Sequence, residues 1–178
     1  MCIRDSANAG DWLKATPVAC GADRVGKDKP VIKGRDATTL PIQSLIAQEK
    51  PNVIVIIIGD TMASYDKPSF PRGWAWQNVT SLTKTIAASA TPCVWVGPPW
   101  GKVGGKYQKN DERTVLMSQF LSANVAPCTY IDSLAFSKPG QWQTLDGQHF
   151  TIAGYQSWAS AIAQALADSP AAKTWKKP

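Results

Sequence analysis

The sequence predicts an α/β fold in which a parallel sheet is covered by helices on both faces. Three observations carry that expectation. Strand-like runs alternate with helix-like stretches along the chain. The strongest run, residues 53–58 (Val-Ile-Val-Ile-Ile-Ile), is β-branched throughout and apolar on both faces, as a central strand covered on two sides requires. Each apolar run also ends in a glycine or aspartate loop, at the sheet edge where open α/β sheets bind ligands.

Taken in order, residues 1–6 read as a leader foreign to the domain, residues 7–169 as one α/β domain and residues 170–178 as a basic frayed tail. Residues 21–37 are polar and broken by Gly21, Gly26 and Gly34, which suits an extended surface loop. A helix follows, capped by Thr38 or Thr39, with Pro41 in its first turn and Ile42, Leu45 and Ile46 as its apolar stripe. Pro51 ends it, because a proline disfavours helical backbone in the preceding residue.

After the strand at 53–58, Gly59-Asp60-Thr61-Met62 falls where chemistry is expected. Residues 64–76 read as a loop carrying Trp74 and Trp76 beside the cleft. These rings could stack on sugars or cover the sheet edge, and both readings stay open. A helix over about 78–90 runs through Val79, Leu82, Thr83 and Ile86. The strand at 93–97 then delivers Pro98-Pro99-Trp100-Gly101 to the edge that holds Gly59.

Gly104 and Gly105 loosen the next loop, and helix signals resume near Asp111, with Val115, Leu116, Gln119 and Phe120 on one side. The last strand is 128–132, followed by a loop at 133–145 that carries Trp142. The closing helix begins near Thr151 and buries Ile152, Tyr155, Trp158, Ala159, Ile162 and Leu166.

Composition bounds the function. The chain has 178 residues, 44% of them hydrophobic, which is enough for one domain with a sizeable core. No run approaches the roughly 18 apolar residues of a membrane span, so no integral membrane segment is expected. A net charge of +6 and a pI near 9.2 permit an anionic partner. The lysines are scattered, however, and the group Lys102, Lys106 and Lys109 reads as a solvated loop. None interleaves with aromatics as a nucleic-acid platform would, so no nucleic acid is expected.

Four cysteines without a C-x-x-C pair speak against a zinc site, and no metal is expected. Cys93 and Cys128 each open an apolar run just after a proline. On neighbouring parallel strands they would lie within disulfide reach, which implies an oxidising compartment, with Cys20 left unpaired.

Near the end of the chain, Asp146-Gly147-Gln148-His149-Phe150-Thr151-Ile152-Ala153-Gly154-Tyr155 holds the only histidine, three residues after a carboxylate. Imidazole can take and give a proton near neutral pH, and a carboxylate one turn away can set its tautomer. Taken alone, Asp-x-x-His equally describes an aspartate capping a turn beside a surface histidine.

This run, together with Gly59-Asp60-Thr61 and Val96-Gly97-Pro98-Pro99, resembles the SGNH or GDSL-type hydrolases over most of residues 7–167. The resemblance implies a three-layer, flavodoxin-like parallel sheet and an extracytoplasmic serine esterase. Its substrate would be an acylated small molecule or polysaccharide, carrying O-acyl groups such as O-acetyl on a carbohydrate or the cell wall, and no cofactor would be needed. His149 would be the base, Asp146 its orienting carboxylate, and Gly59, Thr61 and Gly10 the oxyanion hole, with Gly34 competing with Gly10 by spacing.

Two departures matter. Thr61 stands where the family pattern Gly-x-Asn has an amide donor, and losing one oxyanion donor costs on the order of 10²–10³ in rate. Arg4-Asp5-Ser6 echoes the Gly-Asp-Ser nucleophile block, but Gly10 follows Ser6 by four positions, whereas a strand crossover needs at least about 10 residues. The nucleophile block is therefore expected to precede residue 1 and the sequence as given to lack esterase activity. Ser6 would be workable only if Gly34 is the oxyanion glycine.

The rival reading is a non-catalytic carbohydrate-binding domain whose active surface is Trp74, Trp76 and Trp100. A flavin or nucleotide binder is disfavoured, since no Gly-rich phosphate loop follows an early strand.

Overall fold

The structure, a computed structural model, describes residues 42–169. The leader, Ser6, Gly10, Cys20, Gly34, the helix caps Thr38 and Thr39, and the basic tail lie outside the described residues.

Among the described residues four helices and three strands alternate: α1 (Ile42–Glu49), β1 (Ile54–Ile57), α2 (Arg72–Ala87), β2 (Cys93–Val96), α3 (Asp111–Asn124), β3 (Thr129–Ile131) and α4 (Ile152–Asp168), with 3₁₀ turns at Thr61–Ala63 and Ser133–Phe136. The strands pair in parallel in the order β1-β2-β3, with Ile54 opposite Cys93 and Val94 opposite Thr129. Side chains alternate across a strand, so this register splits the core in two. Ile56, Cys93, Trp95 and Cys128 pack with Val79, Leu82 and Ile86 of α2 and Met117 and Leu121 of α3. Val94, Val96 and Ile131 face the other way, onto Phe150 and onto Trp158, Ile162 and Leu166 of α4. The result is the three-layer α/β arrangement that the alternating elements predict. No helix among the described residues is long and apolar enough to cross a membrane.

Cys93 and Cys128 are joined by a disulfide, their Cα atoms 4.6 Å apart. It links β2 and β3 where each strand starts.

Several elements differ from the sequence reading. Among the described residues β2 is buried along its whole length and pairs with β1 on one side and β3 on the other, and Ile57 near the end of β1 is exposed. Helix α2 begins at Arg72, six residues before the expected start, so Trp74 and Trp76 stand on a helix and not on a loop. In α3 the buried side is Thr114, Met117, Ser118 and Leu121, whereas Leu116 is exposed. Two polar residues on that face have internal partners, which an apolar count cannot anticipate: Thr114 binds Asn110 O and Ser118 binds Tyr130 and Asp132. In α4, Ile152 is 80% exposed, because it occupies the first turn, beyond the sheet that Trp158 and Ile162 cover.

Candidate active site

Asp146 and His149 sit in a tight loop whose two sides are tied together. Leu145 N donates to His149 O (2.7 Å) and Thr151 N to Gln143 O (3.0 Å), with a bridge between Thr144 and Phe150. The base of the loop is anchored by Phe150, buried edge-on against Trp142, Tyr155 and Trp158. Such aromatic pairs contribute roughly 0.5–1.5 kcal/mol each beyond area burial. Thr151 then caps α4, its Oγ1 accepting from Gly154 N. The carboxylate is thus one loop turn away from a rigid helix start.

Within the loop both oxygens of Asp146 are used. Oδ2 lies 2.7 Å from His149 Nδ1, and Oδ1 accepts from the amides of His149 (2.7 Å) and Gln148 (3.1 Å). Partial burial pushes the Asp146 carboxyl up, but the hydrogen bonds from the His149 amide, the His149 ring and the Gln148 amide outweigh it and hold the group below its ordinary value. An ionised carboxylate can only accept, so Nδ1 carries a proton, and in the neutral ring the lone pair is then on Nε2. The pair is partly exposed. A carboxylate holding an imidazole by one nitrogen is an arrangement that can serve general-base chemistry at the other.

The loop between β2 and α3 grips the same segment. Lys102 N donates to Gly147 O (2.9 Å) and Lys106 N to Asp146 O (3.1 Å), while the Tyr107 ring meets the His149 ring edge-on with centroids 5.1 Å apart. Gly147 is required here twice over. Its φ is +92°, and a Cβ would come within 2.7 Å of Gly104 O and 2.9 Å of Lys102 O.

On the other side, the loop after β1 turns at Gly59, whose carbonyl accepts from Met62 N and Ala63 N. Asp60 points inward. Its Oδ1 accepts from Tyr65 Oη (2.6 Å) and from Lys109 Nζ, which also donates to Pro99 O (2.8 Å) and stands 5.4 Å from the centre of the Tyr65 ring. Tyr65 bonds Thr114 Oγ1 as well (3.0 Å). Burial, and after it the Asp60 carboxylate, raise the Tyr65 phenol far above its ordinary value, so it remains a donor. Thr61 is exposed, and its hydroxyl has no hydrogen-bond partner among the described residues.

The structure therefore brings Asp146 and His149 into contact, and brings Gly59 and Thr61 to the same C-terminal edge of the sheet. Trp100 is anchored by its indole N–H to Leu134 O (2.9 Å), tying the β2 loop to the turn after β3. Trp74 and Trp76 are 43% and 53% exposed on α2. Two positions apart on a helix, they diverge by about 200° and form no common platform.

Sequence reasoning missed Lys109, Tyr65 and Tyr107. By sequence Lys109 groups with Lys102 and Lys106 as solvated, yet its side chain is 0% exposed. The one available signal was a carboxylate, Asp60, in the x position of a strand-end turn, which needs a cationic partner if it faces inward.

No protein-family profile matches the chain. It is 42% identical over 164 residues to Protein BcsX of Komagataeibacter xylinus, covering 90% of this chain and 62% of that relative, less than two thirds of its length. Among solved structures it resembles a peptidoglycan O-acetylesterase (16% identity, TM-score 0.54, covering 70% of this chain and 39% of the esterase). It also resembles a candidate acylhydrolase from Bacteroides fragilis (16% identity, TM-score 0.55, 75% and 67% covered). A third likeness is to a candidate arylesterase from Agrobacterium tumefaciens (15% identity, TM-score 0.50, 77% and 72% covered).

Proposed function

We propose that this chain, whose fold is that of the SGNH hydrolases, is the acid–base part of a serine esterase acting on O-acyl groups, O-acetyl among them, of a carbohydrate or cell-wall substrate. The observation that carries this reading is the 2.7 Å contact of Asp146 Oδ2 with His149 Nδ1, made by a carboxylate whose other oxygen is held by two backbone amides.

In this reading His149 Nε2 takes the proton of a serine hydroxyl as its oxygen attacks the acyl carbonyl. The imidazolium returns that proton to the leaving alcohol, and water then repeats the sequence to free the acid. Asp146 keeps the ring oriented and stabilises the imidazolium. The backbone amides around Gly59 would hold the oxyanion, with the exposed Thr61 hydroxyl free to turn toward it once substrate is bound. The serine is supplied from outside the described residues. No step needs a metal or cofactor, and the disulfide supports a periplasmic or extracellular setting.

The test is fluorophosphonate labelling of the full-length protein. Labelling of one serine that is lost in His149→Ala is expected, whereas equal labelling of the variant rejects the triad. Loss of the label on Ser6→Ala would assign the nucleophile to Ser6.

A second reading is a carbohydrate-binding domain without catalysis, in which the exposed ring of Trp74 or of Trp76, each on its own side of α2, would stack on a sugar. Retained polysaccharide binding with no fluorophosphonate labelling of the full-length protein would select it.

A further inference from the structure

We infer that Lys109 is a positioning residue for this site: its buried Nζ joins the loop after β1 to the loop between β2 and α3, and through that second loop it sets the orientation of Asp146 and His149. The function proposed above says what is being positioned, while the mechanical link rests on geometry alone.

A lysine side chain with 0% exposure is costly unless its charge is matched, and an apolar side chain of similar length would fill the same space. The ammonium instead has three partners from two connections: Asp60 and the face of Tyr65 after β1, and Pro99 O after β2. Removing it leaves Asp60 with the Tyr65 hydroxyl alone and strands the Pro99 carbonyl in the interior.

The same residue closes the gripping loop. Gly104 N donates to Lys109 O (2.8 Å) and Lys109 N to Gly104 O (3.0 Å). Its stem runs beneath Gly101: a Cβ there would come within 2.9 Å of Lys109 Cδ and 2.3 Å of Gly147 O, so lysine stem, Gly101 and Gly147 are stacked in contact. Between Gly101 and Lys109 lie the amides of Lys102 and Lys106 that hold Gly147 and Asp146, and the Tyr107 ring that backs His149. A shift of Lys109 is thus transmitted to both members of the dyad by backbone hydrogen bonds. It is transmitted to Thr61 through the adjacent Asp60.

The single histidine makes this testable without turnover, because the protein has one imidazole to observe. The readout is solvent exchange of the His149 Nδ1 proton by NMR, compared among wild type, Lys109→Met, and Lys109→Met combined with Asp60→Asn. Lys109→Met is expected to lose stability and to exchange at least about tenfold faster, as local opening does when a clamp is released.

The double variant leaves no charge unpaired and is expected to regain most of the stability, yet to keep the fast exchange. A folded double variant with wild-type exchange and unchanged imidazole shifts overturns the inference, since it would show Lys109 acting on stability alone. If both fail to fold, Tyr65→Phe decides: removing one of the two donors to Asp60 should accelerate exchange several-fold, and no change overturns the proposal. In full-length protein that hydrolyses esters, the double variant should lower kcat with KM near wild type. Absence of any esterase activity would reject the proposed function and leave the exchange result standing.

Discussion

The loop that holds His149 and the loop that holds Thr61 lie at the same edge of one sheet, and they are built differently. In the first, the functional side chain belongs to the hydrogen-bond network: Asp146 binds the ring and amide of His149, and Gly147 and Asp146 are clamped by the Lys102 and Lys106 amides. In the second, the network holds the neighbour. Asp60 is fixed by Tyr65 and Lys109, while Thr61 next to it is exposed with a hydroxyl unpartnered among the described residues. On the proposed function, the proton-transfer half would thus be set before substrate arrives, whereas the oxyanion half would take its final form around the substrate. Preorganised donors cost no reorganisation at the moment of reaction, so the two halves should respond unequally to mutation.

The largest effect is expected at His149. In full-length protein that turns over p-nitrophenyl acetate, His149→Ala should lower kcat by about 10⁴ or more with little change in thermal midpoint, since its ring is partly exposed. Full retained activity would remove the triad assignment.

Asp146→Asn should match this or fall somewhat short, and it carries a pH signature. The carboxyl is held below its ordinary value of 3.8, so it binds fewer protons folded than unfolded. Its stabilisation is therefore fully present above that value and is lost as pH falls through the lower folded value. Denaturant midpoints of wild type and Asp146→Asn should differ by a constant amount at neutral pH and converge in acid. A gap that widens in acid would contradict the assignment.

Next comes Gly147→Ala, which forces a side chain into φ +92° against two carbonyls. Displacing the dyad by about 1 Å costs on the order of 10² in kcat. A wild-type rate in this variant would show that the clamp is slack.

The smallest effects belong to the other half. Thr61→Asn should raise kcat by about tenfold as an amide donor is added, whereas Thr61→Ala should change it by no more than a few-fold. A large loss in Thr61→Ala would mean that the threonine is already seated on the oxyanion, and the contrast between the two loops would disappear.

What the sequence made legible follows from local chemistry. The strand at 53–58, the buried positions Val79, Leu82 and Ile86, the start of the closing helix near Thr151 and the pairing of Cys93 with Cys128 depend on side-chain type and short-range spacing. The Asp146 to His149 contact spans three residues and is equally local. Ile152 and Leu116 were misjudged because apolarity does not reveal how far a neighbouring layer extends. Lys109 was misread because its partner, Asp60, lies 49 residues away and joins it only once β1 and β2 are paired. Trp74 failed for another reason: Pro71 and Gly73 read as loop residues, yet Pro71 immediately precedes α2, where a missing N–H costs nothing.

The disulfide lies where β2 and β3 start, and the dyad lies beyond where the strands end. Cross-linking across 35 residues contributes about 3–4 kcal/mol in the chain-entropy account, a sizeable share of what keeps a small domain folded. None of that passes through the hydrogen bonds around His149. Cross-link and dyad therefore stand at opposite poles of the sheet, and on the proposed function a reducing environment is expected to thin the population of folded molecules while each survivor keeps its rate.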